Sequence, residues 1–384
     1  MTAAPRVFFY VQHLLGIGHL ARASRIAAAL ADEGFEVTVA MGGMPVPGFP
    51  GPQVKTLALP PIRSRSGFSH LEDSDGNPVD AAFKIRRRDL LLAGLKQCQP
   101  DIVIIEAFPF GRRQMRFELL PMVEAAQAMR PRPLIASSVR DILQENTKPG
   151  RAGEIVDMVA QYFDLVLVHG DPLFARLDQT FRLADAFASK TTYTGLVAAP
   201  PPQPGEKFDV VVSAGGGAAG HGLLRAAVAA AGQFSEASRW CVITGTGVPQ
   251  CLFDSLKAAV RPGVELHAFR RDFPALLGSA RLSVSQVGYN TVCDILQAQC
   301  RSLLIPFADA GETEQTRRAE QLKALGLAEI VQAENLTAEK LAAAIGHCLS
   351  QPKPPAHGFD LAGARRTANL LKAKLMEFRR GQSA

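Results

Sequence analysis

The run Val7-Phe8-Phe9-Tyr10-Val11, followed by Gln12-His13-Leu14-Leu15-Gly16-Ile17-Gly18-His19, decides the fold. Five consecutive β-favouring apolar residues read as a strand buried on both faces. From His19 to Asp32, Ala, Ile and Leu recur three and four residues apart, which predicts a helix. Gly34 ends it, and Glu36-Val37-Thr38-Val39-Ala40 reads as the next strand. A strand, a glycine-bearing turn, a helix and a second strand form a βαβ unit, whose strands run parallel.

The alternation continues outward. Further strands are predicted over 101–105, 133–137 and 165–168. The polar stretch 63–80, with Asp-Gly-Asn-Pro inside it, reads as a long loop. Prolines then crowd 198–205, blocking helix and ladder alike. After that break the pattern restarts, with strands predicted over 209–213, 240–244, 264–268, 282–285 and 302–306. The expected architecture is α/β, with two Rossmann-like, doubly wound parallel-sheet domains over 1–198 and 206–350. A helical pattern inside 360–380 follows Pro352-Lys353-Pro354-Pro355 and is a candidate to pack back on the first domain.

Composition narrows the function. The chain has 384 residues, 47% hydrophobic and 20% charged, which suits two domains with sizeable cores. A net charge of +6 with one Trp and four Tyr gives little for stacking on bases, so nucleic acid is not an expected partner. Six scattered cysteines without a C-x-x-C predict free buried thiols and a reducing compartment. No stretch approaches the roughly 18 apolar residues that span a bilayer. A soluble, cytoplasmic protein is expected.

Three constellations carry chemistry. In the second half, Val210 to Ser213 runs into Ala214-Gly215-Gly216-Gly217-Ala218-Ala219-Gly220-His221 and a helix. Small residues there let the backbone approach an anion, and the N–H groups of the helix start point at it. A tight turn without ligand fits the same residues. In the first half, Gly16 and Gly18 allow a close approach, and His19 sits at a helix start. There the dipole disfavours its cation, which suits a general base; a turn-capping role is the plain alternative. The third runs from Phe269 through Gly288-Tyr289-Asn290-Thr291 to Asp294, expected in the first helical turn and placed to accept the two hydroxyls of a ribose. It continues to Glu314-Gln315.

With these motifs in this order, the sequence resembles the GT-B glycosyltransferases. It is most similar to glycosyltransferase family 28, typified by the N-acetylglucosaminyltransferase of peptidoglycan synthesis. It also resembles a group of predicted bacterial glycosyltransferases in which Gly-x-Gly-His-x-x-Arg recurs. The resemblance implies two domains facing across a cleft and an inverting, metal-independent transfer from a nucleotide-diphosphate sugar, with UDP as the expected nucleotide. It further implies that Gly215, Gly216, Gly217 and Gly220 meet the diphosphate and that Phe269 and Arg270 line the base pocket. Gly288, Tyr289, Asn290 and Thr291 would approach the phosphates, Asp294 the ribose, and Glu314 and Gln315 the donor sugar. His19 matches the histidine where donor and acceptor meet.

The acceptor side is read from the residues. His19 is the first choice of base, with His13 and Glu106 behind it. Glu106 ends a predicted parallel strand, on the ligand-binding edge of an open sheet. Arg112 and Arg113 could hold an anionic acceptor, and Gly16 and Gly18 would line its site. The basic run 84–92 suits peripheral contact with an anionic inner-membrane face if the acceptor is lipid-linked; a solvated helix face is the alternative. Asp73-Ser74-Asp75 has the spacing of a metal-binding Asp-x-Asp but lies in a turn-rich loop, so no metal cofactor is expected. Other readings remain open: a nucleotide-sugar hydrolase with water as acceptor, a non-catalytic sugar-nucleotide sensor, or a dinucleotide oxidoreductase, for which the first turn lacks three glycines.

Overall fold

A computed structural model describes residues 4–14, 16–64, 70–144, 148–215, 220–307 and 313–383. The chain divides into two compact units, Met1–Val197 with Phe359–Ala384, and Ala198–Gly358.

The first unit contains β1 (Arg6–Val11), α1 (Gly18–Asp32), β2 (Glu36–Met41), β3 (Lys55–Ala58), β4 (Arg63–Ser64), β5 (Leu71–Glu72) and α2 (Ala81–Cys98). There follow β6 (Ile102–Glu106), α3 (Arg116–Ala128), β7 (Leu134–Arg140), α4 (Arg151–Tyr162), β8 (Leu165–His169) and β9 (Thr191–Tyr193). Seven strands form one sheet in the order β3-β2-β1-β6-β7-β8-β9. All its pairings are parallel, with Val7 opposite both Val37 and Ile102. Val7 to Val11 and Ile102 to Glu106 are fully buried, as strands covered on both faces must be.

Strand order reverses between β1 and β6. The two chains leave the sheet in opposite directions there, opening the crevice in which doubly wound sheets bind ligands. Residues 63–80 are not all loop as expected: β4 and β5 pair antiparallel. Short, polar strands such as these leave no periodic signal to read.

The second unit repeats the plan with β10 (Val210–Ser213), α5 (His221–Ala231), β11 (Trp240–Ile243), α6 (Gln250–Ala259), β12 (Val264–His267) and α7 (Phe273–Ser279). It ends with β13 (Leu282–Ser285), α8 (Tyr289–Ala298), β14 (Ser302–Leu304), α9 (Glu314–Ala324), β15 (Glu329–Ile330) and α10 (Ala338–Ser350). The sheet order is β12-β11-β10-β13-β14-β15, again all parallel. Its reversal lies between β10 and β13, so the two glycine loops of the second half flank one crevice.

The last helix, α11 (Gly363–Ser383), belongs to the first unit and packs on α1. Leu196 N–H donates to the Asp360 carbonyl at 2.7 Å, and Arg379 reaches Asp101 at 2.5 Å. Four cysteines are buried, but Cys98 is half-buried and Cys251 is exposed, which corrects the expectation that all are buried. No helix among the described residues is long and apolar enough to cross a membrane.

A second correction concerns the basic run on α2. Arg87 is not on a solvated face: it is 0% exposed, and so is its partner Glu118. Its Nε and Nη2 meet the two Glu118 oxygens at 2.7 and 3.0 Å. Nη2 also donates to Gln12 Oε1 at 2.6 Å, and Nη1 donates to the Gly42 carbonyl at 2.9 Å and to that of Pro60. The pair thus ties α2 and α3 to the turns after β1, β2 and β3. Removing one member of such a pair leaves a bare buried charge, so Arg87→Met is expected to cost about 3–5 kcal/mol of unfolding free energy. Adding Glu118→Leu should recover much of that loss; urea titration of both variants is the measurement.

Candidate active site

At the reversal point of the first sheet, β1 delivers Gln12 and His13, α1 begins at Gly18, and β6 ends on Glu106. His19, the second residue of α1, places Nδ1 2.8 Å from Glu106 Oε1. Arg22, one turn on, donates Nη2 to that same oxygen. Ser138, at the matching level of β7, donates its hydroxyl to Glu106 Oε2 at 2.6 Å. Glu106 is 0% exposed, whereas the His19 side chain is 19% exposed. A charge so buried persists only because three donors surround it.

Burial alone would raise the Glu106 carboxyl, but Arg22, His19 and Ser138 hold it well below the usual carboxylate range. Burial, with Arg112 adding to it, pushes the His19 imidazole down to about 3 against the pull of Glu106. His19 is therefore neutral at pH 7. Its Nδ1 proton faces the carboxylate, which leaves the Nε2 lone pair for an incoming hydroxyl.

The other acceptor-side residues divide. His13 is buried, with Nε2 donating to the Met44 carbonyl at 3.0 Å. A Cβ on Gly43 would come within 2.3 Å of its ring, so His13 is packed as part of a turn. Arg112, at φ +59°, donates Nε to the Gln12 carbonyl at 2.7 Å. Burial lowers it to about 10; Glu106 opposes that fall, and Arg140 and Arg22 add to it. It has no carboxylate partner among the described residues. Arg113 instead pairs with Glu154 at 2.5 Å. A Cβ on Gly16 would meet nothing within 4 Å, so no protein contact demands glycine there. Asp73 accepts the Asp75 and Asn77 N–H groups, each at 2.9 Å, and so closes a turn. Among the described residues no three His, Cys, Asp or Glu side chains gather as a metal site would require.

In the second unit, Gly215 and Gly220 bracket the first loop, while Gly216 and Gly217 lie outside the described residues. Gly215 has φ +70°, and a Cβ on it would sit 2.8 Å from Gln286 Oε1, so glycine brings the two loops together. Helices α5, α8 and α9 all start at this edge, after Gly220, Gly288 and Thr313, with no side-chain cap. Helix starts of this kind carry the positive end of the helix dipole and favour an anion. Gln315 spends Oε1 on the N–H groups of Val287 and Phe307, at 3.0 and 3.2 Å. Glu314 is buried against Arg318 Nη2 at 2.8 Å, and Arg318 Nη1 donates to the Val287 carbonyl. Tyr289 is buried beneath that guanidinium, 5.9 Å from its ring centre. Asn290 and Thr291 complete the first turn of α8.

Asp294 is not in the first turn of α8, as expected, but is the sixth residue of the helix, which starts at Tyr289. It is 4% exposed, and its Oδ1 accepts the Ala199 N–H at 3.2 Å. Phe269 presents an exposed ring after β12, and Arg270 beside it forms a two-pronged pair with Asp272 at 2.8 and 2.7 Å.

Sequence reading missed Arg22, Ser138 and His169. Arg22 had a signal: it lies three residues after His19, on the same helix face. His169 had the signal used for Glu106, a polar residue closing an apolar parallel strand, whereas Ser138, next to Ser137 and two residues short of the end of β7, had none. His169 is fully buried and pushed to about 3 by burial and Arg22. Below the ordinary value of 6.5, the unfolded chain protonates His19 and His169 and the folded chain does not. Stability should therefore fall on acidification, by up to about 1.4 kcal/mol per pH unit for each histidine. Thermal melts from about pH 7.5 to about 4.5 would show this, with a shallower decline in His169→Gln.

Residues 211–369 match the family model described as the glycosyltransferase family 28 C-terminal domain. The UDP-N-acetylglucosamine--N-acetylmuramyl-(pentapeptide) pyrophosphoryl-undecaprenol N-acetylglucosamine transferase of Hahella chejuensis is 30% identical over 177 residues, 45% of this chain and 48% of that protein. The protein of the same name from Solibacter usitatus is 33% identical over 133 residues, 34% of this chain and 37% of that one. The chain thus spans about half the length, or less, of these curated relatives. Among solved structures, Acinetobacter baumannii MurG aligns with a TM-score of 0.57 at 15% identity, covering 98% of this chain and 99% of that one. The glycotransferase of kitacinnamycin aligns at 0.60 and 15%, covering 97% and 99%. At such identities the likeness is one of fold alone, and the family model bears on residues 211–369. The chain has the GT-B glycosyltransferase fold and is related to glycosyltransferase family 28.

Proposed function

We propose that the chain transfers a sugar from a nucleotide-diphosphate donor, a UDP-sugar by the kinship of its second unit, to an acceptor hydroxyl, with inversion and without a metal. The observation that carries this reading is the His19–Glu106 pair, a neutral imidazole fixed through Nδ1 with Nε2 left for substrate. The acceptor oxygen gives its proton to Nε2 and bonds to the anomeric carbon. The bond from that carbon to the phosphate oxygen breaks, and the diphosphate leaves with the electron pair. A single displacement of this kind inverts the centre.

Negative charge builds on the departing diphosphate. Uncapped starts of α5 and α8, with Gly215, Gly220 and Gly288 beside them, supply fixed N–H dipoles for it. Phe269 offers a face to the base, and Arg270 main-chain contacts. Asp294 would exchange the Ala199 N–H for the ribose hydroxyls. Glu314 and Gln315 would meet the sugar, Gln315 through its amide nitrogen. Arg112, with Gly16 and Gly18 nearby in sequence, suits an anionic acceptor, and a lipid-linked diphosphate at an anionic inner-membrane face has that chemistry. The exposed side chains of Ile85 and Leu90 on α2, at 49% and 40%, support peripheral contact there.

His19→Ala should lower turnover of UDP-N-acetylglucosamine by about 10²–10⁴-fold while UDP affinity, measured by calorimetry, is retained; near-normal single-turnover rates would remove it as the base. Asp294→Ala should weaken UDP binding by about 1–3 kcal/mol. Wild-type affinity in that variant would exclude the ribose role.

A further inference from the structure

Glu106 is one end of a longer buried chain. Ser138 Oγ lies 2.6 Å from Glu106 Oε2 and 2.9 Å from His169 Nε2. His169 Nδ1 lies 2.8 Å from Thr194 Oγ1. Glu106, Ser138 and His169 are each 0% exposed, and Thr194 is 1% exposed. Glu106 and His169 end β6 and β8, Ser138 lies two residues before the end of β7, and Thr194 follows β9, so the contacts run across the C-terminal edge of the sheet.

The direction of every hydrogen bond in this chain is fixed by the charge at its end. An ionised carboxylate accepts only, so the one Ser138 proton must go to Glu106. The Ser138 oxygen can then only accept from His169, which puts the proton of that imidazole on Nε2. His169 is neutral in its buried setting, so its Nδ1 is bare, and a 2.8 Å contact there requires the Thr194 hydroxyl as donor. The two carbonyls near that hydroxyl, of Val168 and Gly195, are each 3.4 Å away and compete weakly.

We infer that Ser138 and His169 are positioning residues, and that the chain Thr194–His169–Ser138–Glu106 holds His19 in the Nδ1–H tautomer with Nε2 bare. This rests on the reading of His19 as the base. The reason is geometric. Glu106 Oε1 serves both His19 and Arg22, and a carboxylate free to turn would be drawn wholly onto the guanidinium. Ser138 pins Oε2, so the plane of the carboxylate stays set for His19. Ser138 in turn keeps its proton on Glu106 because His169 supplies its oxygen with a donor. Neither residue touches substrate.

The test is nitrogen-15 NMR of histidine-labelled, full-length protein, without ligand. The wild type should show His169 bare at Nδ1 and His19 bare at Nε2. In Ser138→Ala, His19 should become a mixture of tautomers, and UDP release from UDP-N-acetylglucosamine should fall roughly 10- to 100-fold in kcat, short of full loss of the base, with KM little changed. His169→Leu should do the same. His169→Gln keeps a donor for Ser138 and an acceptor for Thr194, and it should restore both the tautomer and most of the turnover. A His169 protonated at Nδ1, or a His19 spectrum unchanged in a folded Ser138→Ala, overturns the inference. If His19→Ala retains turnover, it is the base assignment that fails, and the tautomer spectra still decide the relay.

Discussion

The first unit is organised around one buried negative charge. Glu106 is the last residue of a central strand, and a carboxylate there, out of water, is tolerable only when fully partnered. Its three partners come from two elements: His19 and Arg22 from α1, and Ser138 from β7. Satisfying the charge therefore fixes where α1 starts relative to the strands beside it. The demand that makes the fold unforgiving at this edge also orients the imidazole.

The same edge carries a second buried pair, Arg87 with Glu118, and the two differ in kind. Arg87 spends its donors on one carboxylate, on Gln12 and on backbone carbonyls, so nothing in that cluster is left for a ligand. The Glu106 cluster ends in a half-open histidine and adjoins Arg112, whose terminal nitrogens meet no carboxylate among the described residues. Gln12 links the clusters, since its side chain accepts from Arg87 and its carbonyl accepts from Arg112. One is a brace and the other the site proposed for the chemistry, and the turn after β1 belongs to both.

Much of this was legible in the sequence because the strands are buried on both faces and read as unbroken apolar runs. β1, β6, β10 and β13 were placed to within a residue or two, and with them the loops at both reversal points. What escaped was whatever depends on contacts between strands. Nothing in 133–140 taken alone distinguishes Ser138 from Ser137; only the register of β7 against β6 puts Ser138 opposite Glu106. Arg87 looked like one basic residue among several, because its isolation from water is set by α3, which lies far off in sequence. Asp294 was misplaced for a local reason: α8 starts after Gly288 without a capping side chain, so no Ser, Thr, Asp or Asn marked its first residue.

The second unit shows what such contacts achieve before any ligand arrives. Gln315 and Asp294, read as groups that meet a donor, already accept backbone N–H groups, and Glu314 already holds Arg318. A side chain so engaged has lost its rotamer freedom during folding, so that entropy is not lost again on binding. Each bond also secures a loop: Gln315 joins the chain after β13 to the chain after β14, and Arg318 fixes the Val287 carbonyl beside the start of α8. The N–H groups at that helix start are thus aimed by residues that need not touch a phosphate themselves. Dipoles oriented in advance in this way stabilise negative charge that develops beside them without reorganising at that moment.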